Sequence, residues 1–142
     1  LMKLGRNMGK SANRITLFRD TDGDGLPDLR FAFAEGLNLP FGMVLHEGNF
    51  YVANTDGILR CPYKQGDTKI NVDACKQIAK LPAGGYNHHW TRGLYANGTK
   101  ILVTVGSASN IGEYGVEEDR NRAAVLELDP ATGKLEMVSV RI

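Results

Sequence analysis

Short hydrophobic runs with alternating polar positions recur along the chain and are separated by clusters of Gly, Asn, Asp and Pro. Alternation with a period of two is typical of strands with one buried face, whereas helices repeat about every 3.6 residues. The pattern predicts strands at residues 15–19, 29–34, 42–46, 50–54, 58–63, 94–96, 101–105, 124–128 and 135–140. Residues 72–80 and 116–124 look helix-like but stay ambiguous. The chain is therefore predicted to be mostly β.

The connections between these strands have the composition of tight turns. Residues 46–49, 54–57, 96–99 and 129–133 combine Asn, Asp, Gly and Pro in the way that antiparallel hairpins require. The triplet Asn97-Gly98-Thr99 also matches a glycosylation sequon, but the hairpin turn explains it better. Antiparallel pairing of neighbouring strands is the expected topology.

Grouping the strands reveals an internal repeat. Residues 41–63 and 91–129 each contain a strand, a turn, a strand that ends in a small polar cluster (52–56 and 105–110), and a further strand. A spacing of about 50 residues is typical of propeller blades. The predicted fold is an all-β propeller fragment of about two and a half four-stranded blades. Residues 13–36 form the outer hairpin of one blade, 41–82 the second blade and 91–140 the third.

Charge and hydropathy exclude several classes of partner. The 17 basic and 16 acidic residues are scattered, so the net charge of +1 offers no surface selected by nucleic acid. No window approaches the roughly 18 consecutive apolar residues of a membrane span. Residues 1–10 lack the apolar core of a signal peptide. Because the chain begins with Leu1, we expect the true N-terminus to lie upstream, and the missing signal then carries little weight.

The two cysteines, Cys61 and Cys75, allow one disulfide. If they pair, the closed loop stabilises the fold by about 3 kcal/mol in the chain-entropy model. Two buried free thiols are the alternative, because sequence does not show whether the Cα atoms approach closely enough. An oxidised bridge would indicate the periplasm or the cell exterior.

Residues 84–94 have the composition of a functional site. They place His88, His89, the single tryptophan Trp90 and Arg92 directly after a glycine turn. Imidazole takes up a proton near neutral pH, Arg binds carboxylates through two donors, and indole offers a flat face to a ring-shaped ligand. The alternative is a set of half-buried residues with satisfied hydrogen bonds.

An acidic loop between the first two predicted strands resembles a calcium-binding loop. Carboxylates occupy loop positions 1, 3, 5 and 9, a glycine sits at position 6, and a backbone carbonyl is available at position 7. The candidate ligands are Asp20, Asp22, Asp24, Leu26 and Asp28. Position 12 is Phe31, and the flanks are strands, so an EF-hand is not expected. A weak structural calcium site is favoured over a solvated acidic turn, because converging carboxylates repel one another.

Six segments, in this order, give the chain a resemblance to a known family: SANRITLFRDTDGDG, GLNLPFGM, YVANTDGILR, LPAGGYNHHWTRGL, VTVGSASN and LELDPATG. They resemble the sorbosone dehydrogenase group of quinoprotein β-propellers, which is related to soluble PQQ-dependent glucose dehydrogenases. The resemblance extends over residues 12–140. The HHWTR block and the VGS strand after it are its most specific part, since the acidic loop and the DPATG turn are common elsewhere.

The resemblance implies a periplasmic or secreted oxidoreductase with a six-bladed propeller. Such an enzyme oxidises an aldose or related sugar and passes electrons through calcium-bound pyrroloquinoline quinone (PQQ) to an acceptor. His89 then corresponds to the histidine that removes the hydroxyl proton as hydride moves to the quinone. The residues expected around the cofactor are Asn87, His88, Trp90, Arg92 and Ser107. The acidic loop would bind a separate structural ion.

The chain also departs from the family pattern. Ser107 follows Gly106 where the glucose enzymes have aspartate, and a hydroxyl orients the imidazole without stabilising imidazolium by charge. Either His88, Asn87 or another group assists the imidazole, or the base is weaker. The arginine-asparagine-proline segment and the quinone's calcium ligands would follow Ile142, so we expect the 142-residue piece alone not to oxidise sugar.

Two other classes of function stay open. A non-catalytic propeller would use the same polar residues to bind carbohydrate or a protein partner. A metal site built from His46, His88 and His89 is disfavoured, because neighbouring residues of a strand point to opposite faces.

Overall fold

The computed structural model describes residues 11–140, which form ten strands in three antiparallel sheets. The strands are β1 (Ile15–Arg19), β2 (Leu29–Ala34), β3 (Met43–His46), β4 (Asn49–Asn54), β5 (Gly57–Pro62), β6 (Lys76–Lys80), β7 (Arg92–Asn97), β8 (Lys100–Val105), β9 (Ala124–Leu128) and β10 (Leu135–Val140). Short 3₁₀ turns lie at Val72–Ala74 and Val116–Asp119. The predicted all-β class is confirmed. Residues 1–10, assessed above for a signal peptide, lie outside the described residues, as do 141 and 142.

The strand β6 is absent from the sequence prediction, which left residues 72–80 as a possible helix. The helical part is only the turn Val72–Ala74, and it ends where the Cys75 N–H donates to the Val72 carbonyl at 3.0 Å. β6 follows and pairs with β5 through an irregular register at Ile58 and Leu59. That irregularity breaks the strict alternation on which the strand prediction depends. In residues 116–124 the helical part is likewise one 3₁₀ turn.

The three sheets pack face to face, with the second between the other two. β1 and β2 form the first sheet, β3 to β6 the second, and β7 to β10 the third, and each strand pairs with its neighbour in sequence. β4 is buried on both faces: Phe50 and Val52 pack towards the first sheet, Tyr51 and Ala53 towards the third. Period-two alternation thus places one strand in two cores.

The second and third sheets come together at β3 and β7. The Gly42 N–H, just before β3, donates to the Arg92 carbonyl at 2.8 Å. A Cβ at Gly42 would collide with that carbonyl and lie 2.7 Å from the Leu94 nitrogen, so only glycine permits this approach. The contact fixes the beginning of β7, which directly follows the segment that contains His88, His89 and Trp90.

Cys61 and Cys75 form a disulfide, which settles the alternatives that the sequence left open. The bridge joins β5 to the residue that precedes β6, beside the core shared by the first and second sheets. Closing a loop of this length contributes about 3 kcal/mol in the chain-entropy model. Disulfides are typical of proteins that fold in oxidising compartments. Among residues 11–140, no helix has the length and apolar character needed to cross a membrane.

The turn between β9 and β10 makes the fold sensitive to acid. The Lys100 ammonium lies 2.7 Å from Asp129 Oδ2, and the Ala131 N–H donates to Oδ1 at 2.9 Å. These two donors, Lys100 foremost, lower the pKa of Asp129 to about 2. Because the folded-state pKa lies below its usual 3.8, this stabilisation is present above about pH 4 and is lost as the pH falls towards 2.

We expect Asp129→Asn to flatten the stability profile between pH 4 and 2, because the variant has no carboxylate to protonate there. Urea midpoints measured from pH 2 to 6 test this. Asp56→Asn, in another exposed turn, is the control. Parallel profiles for the wild-type protein and Asp129→Asn would contradict the assignment.

Candidate functional site

The segment of residues 82–92, which joins β6 to β7, is folded around the side chain of Arg92. This side chain has no exposed surface. Its guanidinium donates to the carbonyls of Pro82 at 2.8 Å, His89 at 2.9 Å and Thr91 at 3.0 Å, and to Asn87 Oδ1 at 3.0 Å. Burial lowers the pKa of Arg92 to about 10, so the group stays charged at neutral pH. Arg92 therefore sets the shape of the segment.

Asn87 joins this segment to two of the sheets. Its Oδ1 accepts from Arg92 and also from Arg122 at 2.7 Å, and its Nδ2 donates to Thr55 Oγ1 at 2.9 Å. Thr55 follows β4, whereas Arg122 precedes β9 and also donates to the Gly84 carbonyl at 2.9 Å. All of the polar atoms of the Asn87 amide are engaged by protein groups. Its role in the structure is to position the segment.

His89 is exposed, and its ring is fixed by Ser107. Nδ1 lies 2.9 Å from Ser107 Oγ and 3.2 Å from the Ser107 carbonyl oxygen. The Ser107 hydroxyl donates its proton to the Ser109 carbonyl at 2.6 Å. Both partners of Nδ1 are therefore acceptors, which assigns the proton of the neutral imidazole to Nδ1 and leaves the lone pair on Nε2. The exposed imidazole thus offers a proton acceptor to solvent.

Gly106 permits this contact between His89 and Ser107. A Cβ at position 106 would lie 2.5 Å from the His89 carbonyl oxygen and 2.6 Å from His89 Cβ. Any side chain at position 106 would force the backbone segments around His89 and Gly106 apart. The glycine of the VGS strand is thus required by close packing rather than by a turn.

His88 and Trp90 have different surroundings from His89. The His88 N–H donates to the Ala108 carbonyl at 2.9 Å, and its exposed ring lies edge-on to Tyr86. Trp90 is half-buried and meets Phe41 edge-to-face with ring centroids 6.0 Å apart. Both rings retain exposed surface, and both residues are chain neighbours of His89.

The structure divides the predicted site residues into two groups. His88, His89, Trp90 and Ser107 keep solvent-accessible surface, whereas the guanidinium of Arg92 is enclosed by carbonyl oxygens. Arg92 is thus placed inside the segment and not against a ligand, because its two terminal nitrogens donate to three backbone carbonyls and to Asn87 Oδ1, while the buried Nε has no partner. The amide of Asn87 is likewise directed at protein groups.

The sequence prediction missed two residues that complete this network, Thr55 and Arg122. Thr55 had a usable signal, since it lies in the polar cluster 52–56 that the repeat relates to 105–110, and both clusters contact the segment 82–92. Arg122 had no such signal, because its stretch was ambiguous between helix and loop.

An open cavity of about 840 Å³ adjoins Ser107 and is bounded by residues that include Ser109, Asp119 and Val125.

The acidic loop lies in the β1–β2 hairpin and brings part of its predicted set together. Carboxylate oxygens of Asp20, Asp22 and Asp28 lie within 4.8 Å of one another, all exposed. Asp24 is outside this trio, and its Oδ1 accepts the Leu26 N–H at 2.7 Å. Backbone N–H groups, that of Gly25 first, lower the pKa of Asp20, and Thr21 lowers that of Asp28. The trio has the oxygen chemistry that calcium prefers.

Comparison with sequence families gives one assignment over nearly the whole chain. The family described as "Domain of unknown function (DUF7133)" matches residues 3–141. A comparison with curated proteins gives no match.

Solved structures share the fold. Two structures of a Trichoderma reesei protein of carbohydrate-active enzyme family AA12, an iodide and a calcium structure, superpose with TM-scores of 0.63 and 0.65 at 16% identity. They cover 82% and 85% of this chain and 30% and 32% of their own. The holo form of the pyranose dehydrogenase PQQ domain from Coprinopsis cinerea gives 0.65 at 15% identity, covering 80% of this chain and 28% of its own.

These superpositions confirm the predicted class, a fragment of a β-propeller. At such identities they establish the fold alone. The chain spans about three tenths of the length of the proteins it superposes on. In a propeller the innermost strands surround the central axis, so the contact of β3 with β7 identifies the inner edges of the second and third sheets. His89 lies just before an inner strand.

Proposed function

The chain belongs to the DUF7133 family, and we propose that it forms part of a PQQ-dependent sugar dehydrogenase. The observation that carries the proposal is the position of His89 at the entrance to an inner strand. Ser107 holds the ring through Nδ1 and leaves Nε2 open. The propeller fold is shared with a PQQ domain of a pyranose dehydrogenase. The resemblance to sorbosone dehydrogenases adds the substrate class, an aldose or related sugar.

In this proposal His89 is the general base. Its Nε2 accepts the proton of the sugar hydroxyl while Nδ1–H stays bonded to the hydroxyl and carbonyl oxygens of Ser107. A positioned imidazole base contributes typically about 10²- to 10⁴-fold to the rate. Ser107 offers dipoles and no carboxylate, so it orients the ring but stabilises imidazolium weakly.

When bound, PQQ would accept the hydride together with its two electrons. The residues of this chain fit part of its site, since His88 and Trp90 present exposed ring surface beside the base. Arg92 and Arg122 would not bind the carboxylates of the quinone, because they donate to carbonyl and amide oxygens. Cations for those carboxylates, and the calcium bound to the quinone, would come from other residues of a complete propeller.

The setting of the proposed enzyme is the periplasm or the exterior of the cell. The Cys61–Cys75 disulfide supports this placement, because such bridges persist in oxidising compartments. The electrons would leave through a separate acceptor.

Dye-linked oxidation of aldoses by the protein expressed from the whole reading frame of this chain tests the proposal. We expect activity that requires added PQQ and calcium. Sugar binding that is indifferent to PQQ, without oxidation, would instead support a non-catalytic propeller that binds carbohydrate.

The acidic hairpin is proposed as a separate, structural calcium site. Exposed loops of this kind bind calcium with dissociation constants of about 10⁻⁴ to 10⁻³ M. We expect calorimetry to show millimolar calcium uptake that Asp20→Asn abolishes, because Asp20 belongs to the converging trio. Asp24→Asn is the matched control and should have a smaller effect, since Asp24 lies outside the trio. Absence of heat at millimolar calcium would refute the site.

A further inference from the structure

Three aromatic rings form an exposed cluster beside His89. Tyr86 and Tyr114 stack with ring centroids 3.4 Å apart and planes within 3°. The ring of His88 stands edge-on to both, at 6.1 Å and 6.4 Å, with an interplanar angle of 81° in each case. The tyrosines are 42% and 43% exposed and belong to neither hydrophobic core. Folding thus leaves a large aromatic surface in water at the site.

Tyr114 lies in residues 106–123, the longest connection between strands in the described part of the chain. Long connections in compact domains are usually functional. Several hydrogen bonds hold this connection against the segment 82–92. Besides the contact of Ser107 with His89, the backbone N–H of His88 donates to the Ala108 carbonyl at 2.9 Å, and Arg122 donates to the Gly84 carbonyl at 2.9 Å and to Asn87 Oδ1 at 2.7 Å. Asp119 Oδ1 accepts the Ala108 N–H at 2.6 Å and fixes the connection internally.

Gly85 lies in the bend before Tyr86 and has a left-handed backbone conformation. Its φ of +62° favours glycine, whereas a Cβ there would approach only the flexible end of the Glu118 side chain, at 2.9 Å from Oε2. Full face-to-face stacking is also less favourable for a ring pair than offset stacking. The two tyrosines are therefore held together by the surrounding backbone contacts and not by their mutual attraction alone. The cluster is preorganised.

The chemistry of the aromatic cluster suits a sugar ring. The C–H face of a pyranose is apolar and packs on aromatic rings, while its hydroxyls require polar partners at the edge. Glu113, next to Tyr114, has Oε2 3.0 Å from the Ile111 N–H. Backbone N–H groups, those of Glu113 itself and Ile111 foremost, lower the pKa of Glu113, so its carboxylate is ionised and can accept from hydroxyls.

We propose that Tyr86, Tyr114 and His88 form a platform that binds the C–H face of a pyranose ring beside Nε2 of His89. This inference rests on the proposed function, which supplies a sugar as substrate. His88 is the chain neighbour of His89, and Tyr114 belongs to the connection 106–123, which is hydrogen-bonded to the same segment. The platform favours cyclic sugars over open-chain polyols, which lack a flat face.

Saturation-transfer NMR on the protein from the whole reading frame, without PQQ, tests the platform. The probes are D-glucopyranose and, as an acyclic control, D-mannitol. We expect Tyr114→Ala to weaken glucose binding at least about fivefold, the loss of roughly 1 kcal/mol of ring contact. Tyr114→Phe keeps the ring and should bind within about twofold of the wild-type protein. Tyr95→Ala removes a 68% exposed tyrosine from β7 and should bind as the wild-type protein does.

The outcomes separate this inference from the proposed function. Wild-type protein that binds no glucose, or that binds mannitol as tightly, overturns the platform. Glucose binding that is equal in Tyr114→Ala and wild-type protein also overturns it, even if oxidation still requires His89. Conversely, sugar binding lost in Tyr114→Ala together with full oxidation by His89→Ala would uphold the platform and overturn the proposed base. Matching thermal transitions of Tyr114→Ala and Tyr114→Phe show that the fold is retained.

Discussion

His89→Ala is expected to lower kcat for sugar oxidation by about 10²- to 10⁴-fold, the usual contribution of a positioned general base. The substitution removes an imidazole whose Nδ1–H is bonded to Ser107 and whose Nε2 lone pair is open. It leaves the Arg92 network intact, because Arg92 binds the backbone carbonyl of His89 and not its side chain. KM should therefore change little. Steady-state kinetics on the reconstituted enzyme measure both quantities.

Variants of Ser107 separate orientation of the ring from charge stabilisation. Ser107→Ala removes one acceptor of Nδ1–H but keeps the carbonyl at 3.2 Å, so we expect a loss of only about tenfold. Ser107→Asp adds a carboxylate and should raise kcat, because imidazolium then has a charged partner.

If His89→Ala oxidises sugar within about twofold of the wild-type rate, His89 is not the base.

Arg92→Leu is expected to lower the free energy of unfolding by about 3 to 4 kcal/mol. The guanidinium is fully buried and serves three carbonyls and the Asn87 amide. Leucine leaves those acceptors buried without donors, and each such group costs roughly 1 to 3 kcal/mol before relaxation. Part of this loss is offset because burial already disfavours the charge, as the lowered pKa of about 10 shows. Urea denaturation followed by circular dichroism measures the change.

Arg60→Leu is the matched control for this substitution. Arg60 is only half-buried and donates to a single carbonyl, that of Pro130, at 3.1 Å. Its loss should cost about 1 kcal/mol. If the two variants were equally stable, the segment 82–92 would not depend on Arg92 for its shape.

Most of the fold could be predicted from the sequence because it depends on local rules. Alternation and turn residues define hairpins such as β1–β2 and β9–β10 without knowledge of distant contacts. β6 escaped prediction because its burial is decided by β5, through an irregular register, and by the disulfide that precedes it. Those constraints act across the fold and leave no periodic pattern in Lys76–Lys80.

The site was less predictable, because its geometry depends on long-range contacts. His89 and Ser107 could be related through the family resemblance, and the structure places them in hydrogen-bonding contact. An arginine in such a segment, by contrast, is chemically equally suited to a ligand carboxylate and to backbone carbonyls, and only its burial distinguishes the two. The stacking of Tyr86 on Tyr114 joins two loops that share no repeat or period.

Calorimetric titration of PQQ, with calcium present, into the protein expressed from the whole reading frame tests whether the protein is a quinoprotein. We expect saturable binding of one quinone per protein, followed by sugar-dependent reduction of the bound quinone that fails in His89→Ala. Absence of PQQ uptake, with the protein folded and the Cys61–Cys75 bridge formed, would contradict the quinoprotein assignment.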